Sequence, residues 1–128
     1  MQVFIHYFLH FAFPLFIAFG FYRNDWKNVY LILVATMLVD VDHILASPVF
    51  QENRYSINFH PFHTYYSMVG YMVLVFFRKL FNVIGIGLLL HMLTDLIDCL
   101  MMYSNCKDCF SDSPAIELLR MISNTLGV

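Results

Sequence analysis

Residues 3–22 contain no aspartate, glutamate, lysine or arginine. A helix rises about 1.5 Å per residue, so this segment is long enough to cross the roughly 30 Å hydrocarbon core of a bilayer. Three further apolar stretches follow, at residues 26–45, 63–77 and 80–102. We therefore predict an all-α polytopic membrane protein in which four transmembrane helices form a bundle.

The overall composition agrees with a membrane protein. Hydrophobic residues make up 60% of the chain and charged residues only 12%, which is too little charge to cover the core of a soluble domain of this length. The formal net charge of -2, without a basic run, argues against a nucleic-acid partner. Because no lysine or arginine precedes Arg23 and no small-residue cleavage site follows, we expect the first helix to remain in the mature protein.

The chain divides into a transmembrane domain, residues 1–102, and a C-terminal tail, residues 103–128. The tail contains an amphipathic patch at residues 116–122, which we expect to lie on the membrane surface or to pack against the bundle. It also contains Cys106 and Cys109 in a C-x-x-C motif. This motif is compatible with a disulfide outside the cytoplasm, with a weak metal clip, or with no role at all.

The positive charges near the helix ends predict the orientation. Arg23 and Lys27 lie in the first connection and Arg78 and Lys79 in the third, whereas the second connection contains only Arg54. Connections rich in lysine and arginine remain in the cytoplasm. We therefore expect the first and third connections to be cytoplasmic, with both termini and the long second connection, residues 49–61, outside.

The polar residues of the apolar stretches lie on one side of the predicted bundle. All six histidines and four aspartates fall at that side: His6, His10, Asp40, Asp42, His43, His60, His63, His91, Asp95 and Asp98. Residues three or four apart share a helix face, so His6 with His10, and His91 with Asp95, place polar stripes toward a common interior. An ionised carboxylate at the bilayer centre costs about 2.5–3.5 kcal/mol on insertion scales. No lysine or arginine lies at this depth, so a metal cation is the expected source of positive charge.

Imidazole and carboxylate groups together are typical ligands of zinc, iron and manganese. We predict one or two divalent ions, with zinc the first choice and iron or manganese the alternatives. The predicted ligands are His6, His10, Asp40, Asp42, His43, His60, His63, His91 and Asp95. Asp98 and Asp42 are the predicted catalytic carboxylates, with either one as general base if it does not bind metal.

Two motifs carry a family resemblance. Asp40-Val41-Asp42-His43 and His91-Met92-Leu93-Thr94-Asp95 are similar to the Asp-x-Asp-His run and the late His-x-x-x-Asp of the YdjM-like family of bacterial membrane proteins, described as metal-dependent hydrolases. That family also has an N-terminal histidine, which His6 or His10 matches. The resemblance implies a bacterial inner-membrane protein, and the orientation expected from the positive charges places the metal site in its periplasmic half.

The sequence departs from that family at two places. Val39 occupies the position where the family usually has proline, and His60-Pro61-Phe62-His63-Thr64 replaces a run that resembles His-Arg-Gly-x-Thr-His-Ser. The chain therefore resembles a small divergent branch, similar to compact inner-membrane proteins of Bacteroidetes. The resemblance supports metal binding more strongly than it supports any one reaction.

Three functions are consistent with these residues. The leading hypothesis is a hydrolase that uses metal-bound water on a membrane lipid or a lipid-linked substrate such as a phosphoester. A histidine-box redox protein with di-iron or haem is the first alternative, although four nearby aspartates argue against haem. A metal-binding or transport protein without catalysis is the second, although a transport pathway is expected to continue across the whole span.

Overall fold

The structure is a computed structural model that describes residues 2–45, 57, 60–111 and 113–127, and within these the side chains of Gln2 and of residues 42–45 lie outside the description. The described residues form helices and no strand, which confirms the all-α prediction. Most of the long second connection, residues 49–61, lies outside the described residues.

The first and the longest helix of the described chain pack antiparallel. Helix α1, Val3–Phe21, contains one π-helical turn at Phe8–Ala12. Near the start of α1, His6 contacts Asp98 of the long helix. Just beyond its end, the Tyr22 hydroxyl donates a hydrogen bond to the Asn82 side chain at 3.0 Å. The early residues of α1 therefore lie beside the late residues of the long helix.

The second apolar stretch changes its helical type midway. It begins as α2, Trp26–Ala35, and continues as a 3₁₀ helix, Thr36–Leu45. At the change, the Thr36 hydroxyl donates a hydrogen bond to the Leu33 carbonyl oxygen at 2.6 Å. Such a local bond competes with the regular α-helical ladder. The predicted uniform helix over residues 26–45 is thus α-helical only in its first half.

The third apolar stretch forms a short helix. A 3₁₀ turn, Pro61–His63, precedes helix α3, Tyr65–Leu74, and the Thr64 hydroxyl caps α3 by accepting a hydrogen bond from the Ser67 backbone N–H at 3.2 Å. Ten α-helical residues extend about 15 Å, which is half of the hydrocarbon core. Helix α4, Lys79–Asn105, follows and packs against α3.

The C-terminal tail packs against the bundle. Cys106 and Cys109 form a disulfide with a Cα–Cα distance of 5.4 Å. Helix α5, Ile116–Leu126, follows and buries Leu119 in a cluster with Cys99. The amphipathic patch was expected either to lie on the membrane surface or to pack against the bundle. In the described residues it packs against α4.

Within the described residues, two helices are long and apolar enough to cross a membrane. Of the 18 most apolar consecutive residues, only 17% are buried in α1 and 39% in α4. The core helix of a soluble protein, in contrast, is mostly buried. Large apolar side chains on α1 face outward, with Phe4 74% and Phe16 64% exposed. The bundle thus presents an apolar surface, and the four-span arrangement remains a prediction.

The first and third connections meet at one end of the bundle. Lys79 Nζ donates to Asp25 Oδ2 at 2.8 Å. The hydrogen bond from Lys79, with a second one from Asn28, holds the pKa of the exposed Asp25 carboxyl below its usual value. This contact places the two connections on the same side, as the orientation argument requires.

Gly87 lets α4 approach the second apolar stretch closely at Thr36. A Cβ atom at Gly87 would lie 2.5 Å from Thr36 Oγ1, and threonine is short and stiff at χ1. We expect Gly87→Ala to lower the free energy of unfolding by about 1–3 kcal/mol, although alanine has the higher helix propensity. The control is Gly70→Ala in α3, where no atom lies within 4 Å. Denaturant unfolding in detergent measures the free energy of unfolding of both variants. Equal values for Gly87→Ala and Gly70→Ala would contradict the close approach of Thr36 to Gly87.

Candidate metal centre

Four side chains converge in the interior of the bundle. Asp40, His63, His91 and Asp95 each present one ligand atom, and these four atoms all lie within 4.8 Å of one another. Both histidines and Asp95 are buried, whereas the Asp40 side chain is 46% exposed. The residues come from the 3₁₀ helix, the short 3₁₀ turn and α4, so three separate segments build the group.

The separations fit a tetrahedral metal ion. His91 Nε2 lies 3.0 Å from Asp40 Oδ1, and His63 Nε2 lies 3.1 Å from Asp95 Oδ2. The two imidazole Nε2 atoms are 3.3 Å apart, and the remaining histidine–aspartate pairs are both 3.6 Å apart. Ligand atoms placed 2.0–2.1 Å from a tetrahedral zinc ion are about 3.3 Å from one another. Two nitrogens and two carboxylate oxygens therefore have the type and spacing of a transition-metal site.

Local structure holds His63 in position. The turn that contains His63 is tied to α3, because the Tyr71 hydroxyl donates to the Phe62 carbonyl oxygen at 2.8 Å and the Ser67 hydroxyl donates to the Pro61 carbonyl oxygen at 2.9 Å. His91 and Asp95 are four residues apart on α4 and share one face. The pair on α4 and the braced turn thus approach each other as fixed elements.

His10 lies behind His91 as seen from the four ligand atoms. It is buried within the π-helical turn Phe8–Ala12. Its Nε2 atom lies 3.2 Å from His91 Nδ1, and its Nδ1 atom donates to the His6 carbonyl oxygen at 3.0 Å. His10 therefore contacts the candidate ligand His91 and is not itself one of the four converging groups.

His6 and Asp98 form a second polar contact beside the group. His6 Nδ1 contacts Asp98 Oδ2, and the His6 ring stacks on the His10 ring with centroids 4.2 Å apart. The other carboxylate oxygen of Asp98 is buried and receives no hydrogen bond from the part of the chain that the structure describes. Asp98 lies three residues beyond Asp95 on α4, so the two carboxylates share a face.

A family model matches residues 1–102. The chain belongs to the DUF6122 family. DUF6122 is described as a family of unknown function, and its model covers every candidate ligand and ends before the disulfide. Comparison with curated proteins and with solved structures gives no match. The YdjM-like resemblance therefore remains an expectation for this DUF6122 member.

The other predicted site residues of this DUF6122 chain lie around the group or outside the description. The His60 ring is buried with its centroid 5.8 Å from that of His63. The side chains of Asp42 and His43 lie outside the described residues. A second ion, which was predicted as an alternative to a single one, thus remains a prediction.

Sequence reasoning missed the side chains that brace the site. Thr64 and Tyr71 hold the turn that bears His63, and Thr36 packs on Gly87 below Asp40. A Thr-x-x-Ser spacing at a helix start was the only sequence signal for this bracing.

Proposed function

We propose that this DUF6122 protein is an integral membrane metal-dependent hydrolase. The observation that carries the proposal is the convergence of Asp40, His63, His91 and Asp95, in which the histidine nitrogens lie 3.0–3.6 Å from the carboxylate oxygens and 3.3 Å from each other. A divalent transition metal, with zinc as the first choice, is the ion that this mixed nitrogen and oxygen set favours. The exposed side of Asp40 gives the substrate access to an otherwise buried site.

Residues beside the ligands supply the acid–base chemistry. A bound divalent metal provides an acidified water and polarises the bond to be cleaved. Asp98, whose second oxygen is buried without a hydrogen bond from the described residues, accepts the proton of the attacking water. His6 holds the first oxygen of Asp98 and thereby fixes the orientation of the carboxylate.

An apolar groove next to the site supports a lipid or lipid-linked substrate. The groove has a volume of about 570 Å³ and begins at Val39 and Phe62, the chain neighbours of Asp40 and His63. It continues along α4 past Leu88 and Ile84 to Leu80. A hydrocarbon chain in this groove would end beside Val39 and Phe62, next to two of the proposed ligands. Lipid phosphoesters are therefore the substrates to test first.

The disulfide supports the proposed orientation. Cys106 and Cys109 follow the C-terminal end of α4, whose second half contains Asp95, and disulfides persist in oxidising compartments such as the bacterial periplasm. Arg23 and Lys79 lie at the opposite end, which the positive-inside rule assigns to the cytoplasm. Both features support an inner-membrane protein with its site in the periplasmic half.

Metal analysis of the detergent-purified protein tests the proposal. We expect near-stoichiometric zinc, iron or manganese, hydrolysis of a phospholipid or phosphodiester, and loss of both activity and thermal stability after chelation, because an ion that binds only the folded state stabilises it. A metal-free preparation whose stability does not respond to chelation or to added metal would exclude the site. If the fully metallated protein showed no turnover but carried metal across liposome membranes, the function would be metal transport and not hydrolysis.

A further inference from the structure

We infer that His10 is a positioning residue that determines which nitrogen of His91 binds the metal. The inference rests on the proposed metal site, and it concerns the hydrogen-bond chain that runs from the backbone of α1 to His91. Three groups form this chain: the His6 carbonyl oxygen, the His10 ring and the His91 ring.

The His6 carbonyl oxygen fixes the tautomer of His10. A carbonyl oxygen can only accept a hydrogen bond, so His10 Nδ1, at 3.0 Å from it, must carry a proton. In a neutral imidazole the other nitrogen then holds a lone pair. A doubly protonated His10 would bring a positive charge into a buried position beside two further histidines, which is unfavourable. His10 Nε2 is therefore an acceptor.

The tautomer of His10 in turn fixes that of His91. His91 Nδ1 lies 3.2 Å from His10 Nε2 and must donate the proton of this hydrogen bond. The Nε2 atom of His91 then holds the lone pair, and this is the atom that lies 3.0 Å from Asp40 Oδ1 and 3.3 Å from His63 Nε2. Without His10, the neutral His91 ring can adopt the opposite tautomer, in which Nε2 carries a proton and cannot bind a metal.

Three substitutions at position 10 separate this role from simple packing. In His10→Gln, the side-chain amide reaches as far as the original Nε2 and can still accept a hydrogen bond from His91. In His10→Asn, the amide reaches only as far as Nδ1, and His10→Leu removes both polar atoms. The measurements are the affinity for Co²⁺ in competition with a chelator, the absorption spectrum of the Co²⁺ form, and the melting temperature of the metal-free protein.

We expect His10→Leu and His10→Asn to weaken Co²⁺ binding by about 10–100-fold, which is typical for loss of a partner that orients a ligand. His10→Gln should recover most of this affinity, and the band intensities of the Co²⁺ spectrum should be unchanged in all three, because His10 is not a ligand. The inference would be overturned if His10→Leu bound Co²⁺ with unchanged affinity. It would also be overturned if all three variants lost the same affinity and this loss matched the decrease in their melting temperatures. A spectrum that loses a ligand would instead make His10 a direct ligand. Failure of the unsubstituted protein to bind Co²⁺ would refute the metal site itself.

Discussion

Asp95→Asn is expected to lower the metal affinity by more than the 10–100-fold that the loss of an orienting partner costs, because it removes a proposed direct ligand of the metal. Asp95 Oδ2 lies 3.1 Å from His63 Nε2 and 3.6 Å from His91 Nε2 within the candidate site. The amide keeps the shape of the side chain but removes the charge that balances the cation. Hydrolysis should fall to background because the bound metal is lost.

Stability separates loss of the metal from loss of the fold. Asp95→Asn removes a buried negative charge, so the metal-free variant should be at least as stable as the metal-free parent protein. Asp25→Asn is the matched control, since Asp25 pairs with Lys79 at the opposite end and its change should leave metal content intact. Metal analysis with thermal unfolding in a chelator measures both quantities. Normal metal content in Asp95→Asn would remove this residue from the ligand set.

Asp98→Asn is expected to lower kcat by about 10²-fold or more, the usual size of a general-base contribution, while the metal content persists. The amide oxygen can still contact His6, so the geometry of α1 against α4 is retained. What is lost is the ability of the buried second oxygen to accept a proton. Initial rates at saturating substrate, measured with metal content on the same samples, test this expectation.

The matched control for Asp98→Asn is Asp108→Asn, which changes an exposed carboxylate beyond the end of α4. That variant should retain both rate and metal. If Asp98→Asn lost its metal, Asp98 would be a ligand and not a base. If it retained both metal and full rate, the proton would have to leave by another group.

The sequence allowed the prediction that polar residues from separate stretches meet on one side. His91 and Asp95 share a face because they are four residues apart, and the reversal of direction between successive stretches brings Asp40 and His63 to the same end. The structure confirms this meeting for these four residues. The argument worked because it depended only on helix periodicity and on the order of the stretches.

The sequence could not show which of the polar residues are candidate ligands and which are only their neighbours. The His6/His10 spacing resembles that of His91 and Asp95, yet His10 contacts His91 from behind and is not one of the four converging groups. The rotation of α1 about its axis decides this, and a π-helical turn alters that rotation without a clear sequence signal. The 3₁₀ helix similarly begins at Thr36, whose side chain bonds to the Leu33 carbonyl oxygen and packs against Gly87, a tertiary contact that the sequence does not reveal.

The distribution of the ligands along the chain sets an order for maturation. Asp40 and His63 precede α4, whereas His91 and Asp95 both lie within it. Ribosomal synthesis delivers the N-terminal segments first, so a nascent chain that lacks α4 offers only two of the four donors. If the proposed metal site forms, tight binding of the ion would have to wait until α4 has been synthesised and packed. The ion would then stabilise only chains in which α4 is in place.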